Sequence, residues 1–356
     1  MKWSFKIGKL FGIPIRVHFT FLLLLLFIGI SGSKQVGSTG AIFGMVTIVF
    51  IFFCVILHEV GHSLMAKHYG INVKDIVLLP IGGVSRMDEI PENPKEEISI
   101  SLVGPLVSFG LAILFFILAK LLNQSIGFKS LTIFRGNLIA NLFWINLILG
   151  LFNLIPAFPM DGGRVLRGIL ATGMASLKAT KIAVGIGQGF AIFLFFFGIF
   201  FNWWMALIAI FIYLGAEGEE RMVRVRTSLA KSPVRLAMLT DFHTVSPDET
   251  IGKVLERICY SLQQDFPVME KDEVVGILTR EAIFSSLHKH EKSALVKDMM
   301  QKDFISTTED ASLSDIYKTM TTHNLSVIPV MKEKKLKGMI NLEQIGKYHM
   351  ICQEEV

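Results

Sequence analysis

Charge is scarce in this chain. Asp, Glu, Lys and Arg make up 18% of its 356 residues, 52% are hydrophobic, and the mean hydropathy is +0.54. So apolar a composition excludes an ordinary soluble globular protein and points to an integral membrane protein. Cysteine is rarer still. Cys54 lies in an apolar run and Cys259 and Cys352 in the polar last third, a distribution that argues against a disulfide framework. The first apolar run lacks small residues placed for signal cleavage before polar sequence, so no removable leader is expected. A concentrated basic surface is missing as well. The formal net charge is +5, yet residues 228 to 356 hold 16 Lys/Arg against 19 Asp/Glu. The excess belongs to the apolar part, where it reads as juxtamembrane anchoring charge, and no nucleic-acid partner is indicated.

What the sequence does have is long apolar runs, concentrated before about residue 216. Six spans are expected: about 10 to 30, interrupted by Pro14, Arg16 and His18; about 41 to 66; about 98 to 122; about 137 to 155; and two within Ile182 to Ala216, where Asn202 is the only polar mark of a turn. A span needs about 20 residues, so that last stretch is long enough to cross twice. Lys2, Lys6, Lys9 and Arg16 precede the first span, and Lys/Arg recur on the same side at 67–95, 164–181 and 221–231. That bias places both termini in the cytoplasm and the protein in the cell membrane as a multi-pass chain. Between the second and third spans, VKDIVLLPIGGVSRMDE is apolar but punctuated by Pro80, Gly82 and Gly83. It is too short to cross, and a β-hairpin dipping into the membrane is expected there, tolerated where it lines a cavity. An ordinary cytoplasmic hairpin is the alternative.

The second run, AIFGMVTIVFIFFCVIL, leads directly into His58-Glu59-Val60-Gly61-His62. Two histidines four residues apart share one helical face and can grip a single zinc ion, while Glu59 can take a proton from a zinc-bound water. Ionisable side chains at membrane depth are costly and mark functional sites. The plainer alternative is a pair of interfacial histidines beside a solvated glutamate. Cys54, four residues before His58, shares that face and reads as a small buried side chain rather than a further ligand. Catalytic zinc takes three protein ligands and leaves one position for water, so a third must come from another segment. The fourth run ends in NLIPAFPMDGGR, residues 153 to 164. Pro156 and Pro159 break the helix, and the glycine pair lets Asp161 sit on a bent, closely approached backbone. Alone, Asp161 would be taken for a helix cap; beside HEVGH it is taken as the third ligand.

HEVGH and FNLIPAFPMDGGR together resemble the site-2 protease family of intramembrane zinc metalloproteases, over roughly residues 1 to 216. PIGGV at 80 to 84 and the Gly104-Pro105 break in the third run are similar to family features too. The resemblance implies zinc held by His58, His62 and Asp161, with Glu59 as general base and acid. It implies that Asn153 steadies the substrate or the oxyanion, helix capping being that residue's alternative role. It also implies a single-pass transmembrane substrate, cut in or near its membrane helix in regulated intramembrane proteolysis.

Residues 241 to 351 repeat at a constant offset of 62: Asp241-Phe242 matches Asp303-Phe304, Pro267-Val268-Met269 matches Pro329-Val330-Met331, and Gly276 matches Gly338. This resembles a tandem pair of cystathionine-β-synthase (CBS) domains, which implies an adenine nucleotide such as ATP or AMP in the cleft and homodimerisation through the pair. Thr279 and Asn341 occupy the nucleotide-contacting positions, but Ala282 and Gln344 stand where nucleotide-binding copies carry an aspartate for the ribose. The expected organisation is a polytopic α-helical membrane protein of about six transmembrane helices with a membrane-associated β-hairpin (1–216), a charged helical linker (217–232), and a soluble α/β CBS pair (233–295 and 296–356). A zinc endopeptidase modulated by its CBS pair is the leading function. A CBS-regulated transporter or channel and an inactive scaffold are the alternatives, and the glutamate between two coplanar histidines favours the enzyme.

Overall fold

The structure is a computed structural model and describes residues 3–87, 93–127, 132–230, 232–260, 263–288, 293–333 and 335–352. The chain divides into two compact units, residues 1–221 and 222–356.

The first unit opens with two strands, β1 (Ser4–Leu10) and β2 (Ile13–His18), before helix α1 (Phe19–Val36). This corrects the first expected span, which was placed from about residue 10. The reason is visible in the burial: Ile13, Ile15 and Val17 are buried while Pro14, Arg16 and His18 are partly exposed, a period of two that a helix cannot satisfy. His18 then starts the helix, its ring nitrogen accepting from the Thr20 N–H. Helix α2 (Ser38–His68) follows, then β3 (Val73–Leu79) and β4 (Gly82–Met87), which pair antiparallel. The four strands form one sheet in the order β1-β2-β3-β4, with β2 and β3 parallel and the other pairs antiparallel. Ile13, Ile15, Val17, Ile76 and Leu78 of the sheet join Val60 and Ala66 of α2 in one buried cluster.

Helices α3 (Pro94–Leu121), α4 (Leu138–Asn153), α5 (Asp161–Ala171), α6 (Ser176–Phe201) and α7 (Trp203–Ala230) complete the unit. Asn202 does divide the last apolar stretch: it leaves helical backbone, and its Oδ1 accepts the Trp204 N–H. Among the described residues four helices, α1, α2, α3 and α6, are long and apolar enough to cross a membrane. Helix α4 has 16 residues, about 24 Å at 1.5 Å per residue, short of a hydrocarbon core of about 30 Å. Helix α7 turns charged at Glu217, Glu219 and Glu220 and continues helical to Ala230.

The second unit carries the repeat into three dimensions. Strands β5 (Phe266–Glu270) and β6 (Glu273–Leu278) pair antiparallel with a bulge at Val268/Met269. Strands β7 (Val327–Lys332) and β8 (Lys335–Asn341) pair in the same register, with the bulge at Val330/Met331, 62 residues on. The bridges Leu239–Met339 and Ile277–Gln301 exchange the two copies symmetrically, which is the signature of an internal pseudo-twofold. Helices α8 (Ile251–Tyr260), α9 (Arg280–His288), α10 (Val296–Met299), α11 (Leu313–His323) and α12 (Leu342–Cys352) flank the strands.

Candidate metal centre

Helix α2 brings His58 and His62 to one face, and the start of α5 brings Asp161 to meet them. His58 Nε2 lies 3.1 Å from His62 Nε2, and Asp161 Oδ2 lies 3.3 Å and 3.1 Å from them respectively. Both histidines are buried, with Asp161 partly so. Ligands bonded at about 2.0–2.1 Å to a tetrahedral zinc lie about 3.3 Å apart, which is the spacing found. Each ring is held on its far side, and for His62 that partner also fixes the tautomer. His62 Nδ1 is 2.7 Å from the Ile100 carbonyl, which can only accept, so that nitrogen carries the proton and Nε2 keeps its lone pair. His58 Nδ1 is 2.9 Å from Ser108 Oγ. Two ring lone pairs and a carboxylate oxygen converging away from water need a cation between them, and this donor set suits zinc.

Helix α3 makes that convergence possible. A Cβ on Gly104 would lie 2.1 Å from His62 Nε2 and 2.7 Å from His58 Nε2, so only glycine lets the two imidazoles occupy this space. Asp161 is delivered by the loop after α4, whose Ala157 and Phe158 are fully buried. The backbone is tight there, with Gly162 against the carbonyls of Leu154 and Ile155.

Glu59 points toward the sheet edge. A Cβ on Gly83 of β4 would lie 2.6 Å from Glu59 Cγ, and the Ser85 backbone N–H donates to the Glu59 carboxylate. The same strand is tied to α2 by Ser63 Oγ and Ser85 Oγ, 2.6 Å apart. It is tied to β3 by Arg86, which donates to the buried Asp75; that hydrogen bond raises the guanidinium above its ordinary pKa. Asn153 closes α4 and is half-buried; the carbonyls of that last turn are capped by the Leu154 N–H rather than by the Asn153 amide. Cys54 is buried and free, and does not belong to the metal group. Ser108, the Ile100 carbonyl and Gly83 were not anticipated from the sequence.

In the second unit a cleft of about 330 Å³ lies between the two CBS copies. Thr279 lines it, with Asp265, Arg280, Gln301 and Ser326. Asn341 is not among the lining residues; its Oδ1 accepts the Gln344 N–H at the start of α12, as Thr279 Oγ1 accepts the Ala282 N–H in α9. Asp265 Oδ1 accepts from the Arg280 N–H and from Ser326 Oγ.

A helix long and apolar enough for a membrane, bearing HExxH and completed by a distant aspartate, defines a membrane metalloendopeptidase. Comparison with known proteins agrees. The model of peptidase family M50 matches residues 46–194, and the CBS-domain model matches residues 234–289 and 296–348. The chain is 38% identical over 347 residues to a zinc metalloprotease of Methanocaldococcus jannaschii, covering 97% of this chain and 96% of that one. It is 26% identical over 139 residues to stage IV sporulation protein FB of Bacillus subtilis, covering 39% and 45%. A solved site-2 protease from Methanocaldococcus jannaschii is 41% identical and covers 61% of this chain and 95% of its own, with a TM-score of 0.45. The chain belongs to the M50, or site-2 protease, family of zinc metalloproteases and carries a tandem CBS pair.

Proposed function

We propose that this protein is an intramembrane zinc endopeptidase that cuts a peptide bond in or near the transmembrane helix of a single-pass membrane protein, in regulated intramembrane proteolysis. The observation that carries the reading is the convergence of His58 Nε2, His62 Nε2 and Asp161 Oδ2 at 3.1–3.3 Å beside Glu59. Those three residues hold the zinc. Bound zinc supplies a Lewis acid and a water whose pKa is lowered toward neutrality. Glu59 takes the proton from the attacking water and returns it to the leaving amine, acting as general base and general acid from the helix that carries both histidines. Its hydrogen bond from Ser85 holds the carboxylate in one orientation. Asn153 directs its amide to the substrate carbonyl oxygen, where charge develops. The edge position of β4 leaves backbone groups beside Glu59, and the hairpin lines the cavity through which water arrives.

All six apolar helices lie in the membrane, including α4, which is short, and the apolar first half of α7, which ends at the charges from Glu217 on, and both termini are cytoplasmic by the Lys/Arg bias. The CBS pair, residues 233–295 and 296–356, is then cytoplasmic as well. It modulates cleavage, dimerises the protein and binds ATP or AMP, with Thr279 as a contact in the cleft and Asn341 as its counterpart in the second copy.

The test is cleavage of a single-pass reporter by purified protein and by Glu59→Gln. Cleavage by the wild type alone, with zinc retained in both, supports the assignment. Equal cleavage by both rejects Glu59 as the base, and cleavage by neither favours the transporter or scaffold alternative.

A further inference from the structure

Four charged side chains outside the metal centre gather around α5, and peptide hydrolysis makes no direct use of them. Arg167 is only 2% exposed. Its Nε donates to Glu97 Oε1 of α3 at 2.7 Å, and one Nη donates to the same oxygen. Its other Nη faces Glu219 Oε2 of α7 at 3.9 Å, and neither of those two atoms has a hydrogen-bond partner among the described residues. The second Glu219 oxygen accepts from Arg164 at 2.7 Å. The guanidinium also lies 5.5 Å from the ring centre of Phe158, which is fully buried.

Stability alone does not account for such a cluster, because buried ion pairs are generally no more stabilising than apolar packing of the same volume. What the partners carry is more telling. Glu97 stands one turn before Ile100, whose carbonyl holds the His62 ring, and α3 runs on to Gly104 and Ser108, the other contacts of the two histidines. Arg167 stands on the short helix that Asp161 begins, and Phe158 belongs to the loop that delivers Asp161. The Arg167–Glu97 pair thus joins the element that orients the imidazoles to the element that carries the carboxylate.

We propose that Arg167, clasped by Glu97 and Glu219, is a positioning residue that sets the distance at which Asp161 meets His58 and His62. It touches neither substrate nor metal, and the inference rests on the metal reading above.

The test uses full-length protein in detergent. Zinc affinity is measured by chelator competition, and kcat and KM are read on the reporter. Arg167→Met, with wild-type helicity and elution volume, is expected to bind zinc about 10-fold or more weakly, the scale of outer-shell changes at metal sites. Its kcat is expected to fall while KM stays near the wild-type value. Arg167→Lys is expected to recover part of both, and the exchanged pair Glu97→Arg/Arg167→Glu more than either reversal alone. If Arg167→Met does not fold, Glu97→Gln and Arg167→Lys give the same readout with milder loss. Folded variants with wild-type zinc affinity and kcat, and only a lowered Tm, overturn the inference. Wild-type protein that holds no zinc overturns the metal reading along with it, whereas zinc-loaded wild type beside unaffected variants overturns this inference alone.

Discussion

Substituting Gly104 by alanine adds one methyl group to α3, and the structure says where it must go. The new carbon falls 2.1 Å from His62 Nε2, 2.4 Å from His62 Cε1 and 2.7 Å from His58 Nε2, against ordinary contact beginning at 3.4 Å. One ring must therefore retreat by about 1 Å, or α2 and α3 must separate by as much. Neither ring moves freely, because each is tied through Nδ1, to Ile100 and to Ser108. The overpacking itself costs about 1–3 kcal/mol, which a large membrane domain can absorb. Zinc sites, however, tolerate about 0.2 Å in ligand distance, and a misplacement of about 1 Å at a reacting centre costs on the order of 100-fold in rate. Gly104→Ala is thus expected to stay folded, lose zinc to a chelator at least about 10-fold more readily, and lose about 100-fold or more in kcat/KM on a single-pass reporter. Gly110→Ala, on the same helix but with nothing within 4 Å of the new carbon, is the matched control and should change neither. Full zinc and full activity in Gly104→Ala would refute the packing argument.

Three further outcomes follow from the same geometry. Ser108→Ala removes the partner of His58 Nδ1 and should weaken zinc binding about 10- to 100-fold with little change in Tm, read by chelator competition and thermal melting. Asp75→Asn leaves Arg86 without its carboxylate and, with the guanidinium partly in solvent, should destabilise the sheet by about 1–3 kcal/mol; because β4 also holds Glu59, reporter cleavage should fall with it. ATP or AMP at about 100 times its Kd should stabilise the CBS unit by about 2.7 kcal/mol, seen as a raised second melting transition that Thr279→Val diminishes; no shift at millimolar nucleotide would remove the nucleotide from the account.

Local patterns were readable and tertiary ones were not. HEVGH is a five-residue signal on an unbroken apolar helix, so residue type, spacing and helical face were all present in the sequence. Asn202 was legible as a break because nothing else polar occurs in that stretch. The CBS repeat could be read as matched residues at an offset of 62, and the structure adds bulges 62 residues apart. The first span was misplaced because the apolar run after His18 extended the helical reading backward over Ile13, Ile15 and Val17, whose alternation is a strand signal in plain view. The partners of the histidine rings could not be read, since Ser108 and the Ile100 carbonyl become neighbours only when α2 packs on α3. Arg167 is similar: in DGGRVLRGILA it looks like one more solvated charge, and only the fold reveals that it is buried on Glu97. Asp265 escaped notice because an aspartate before a strand carries no motif of its own.

The central claim is a single metal ion held by His58, His62 and Asp161. Its most direct measurement is the zinc content of the intact detergent-purified protein beside that of Asp161→Ala. The account predicts one zinc per chain in the first and a loss of at least about 10-fold in affinity in the second; no stoichiometric zinc in the first, or undiminished affinity in the second, would contradict it.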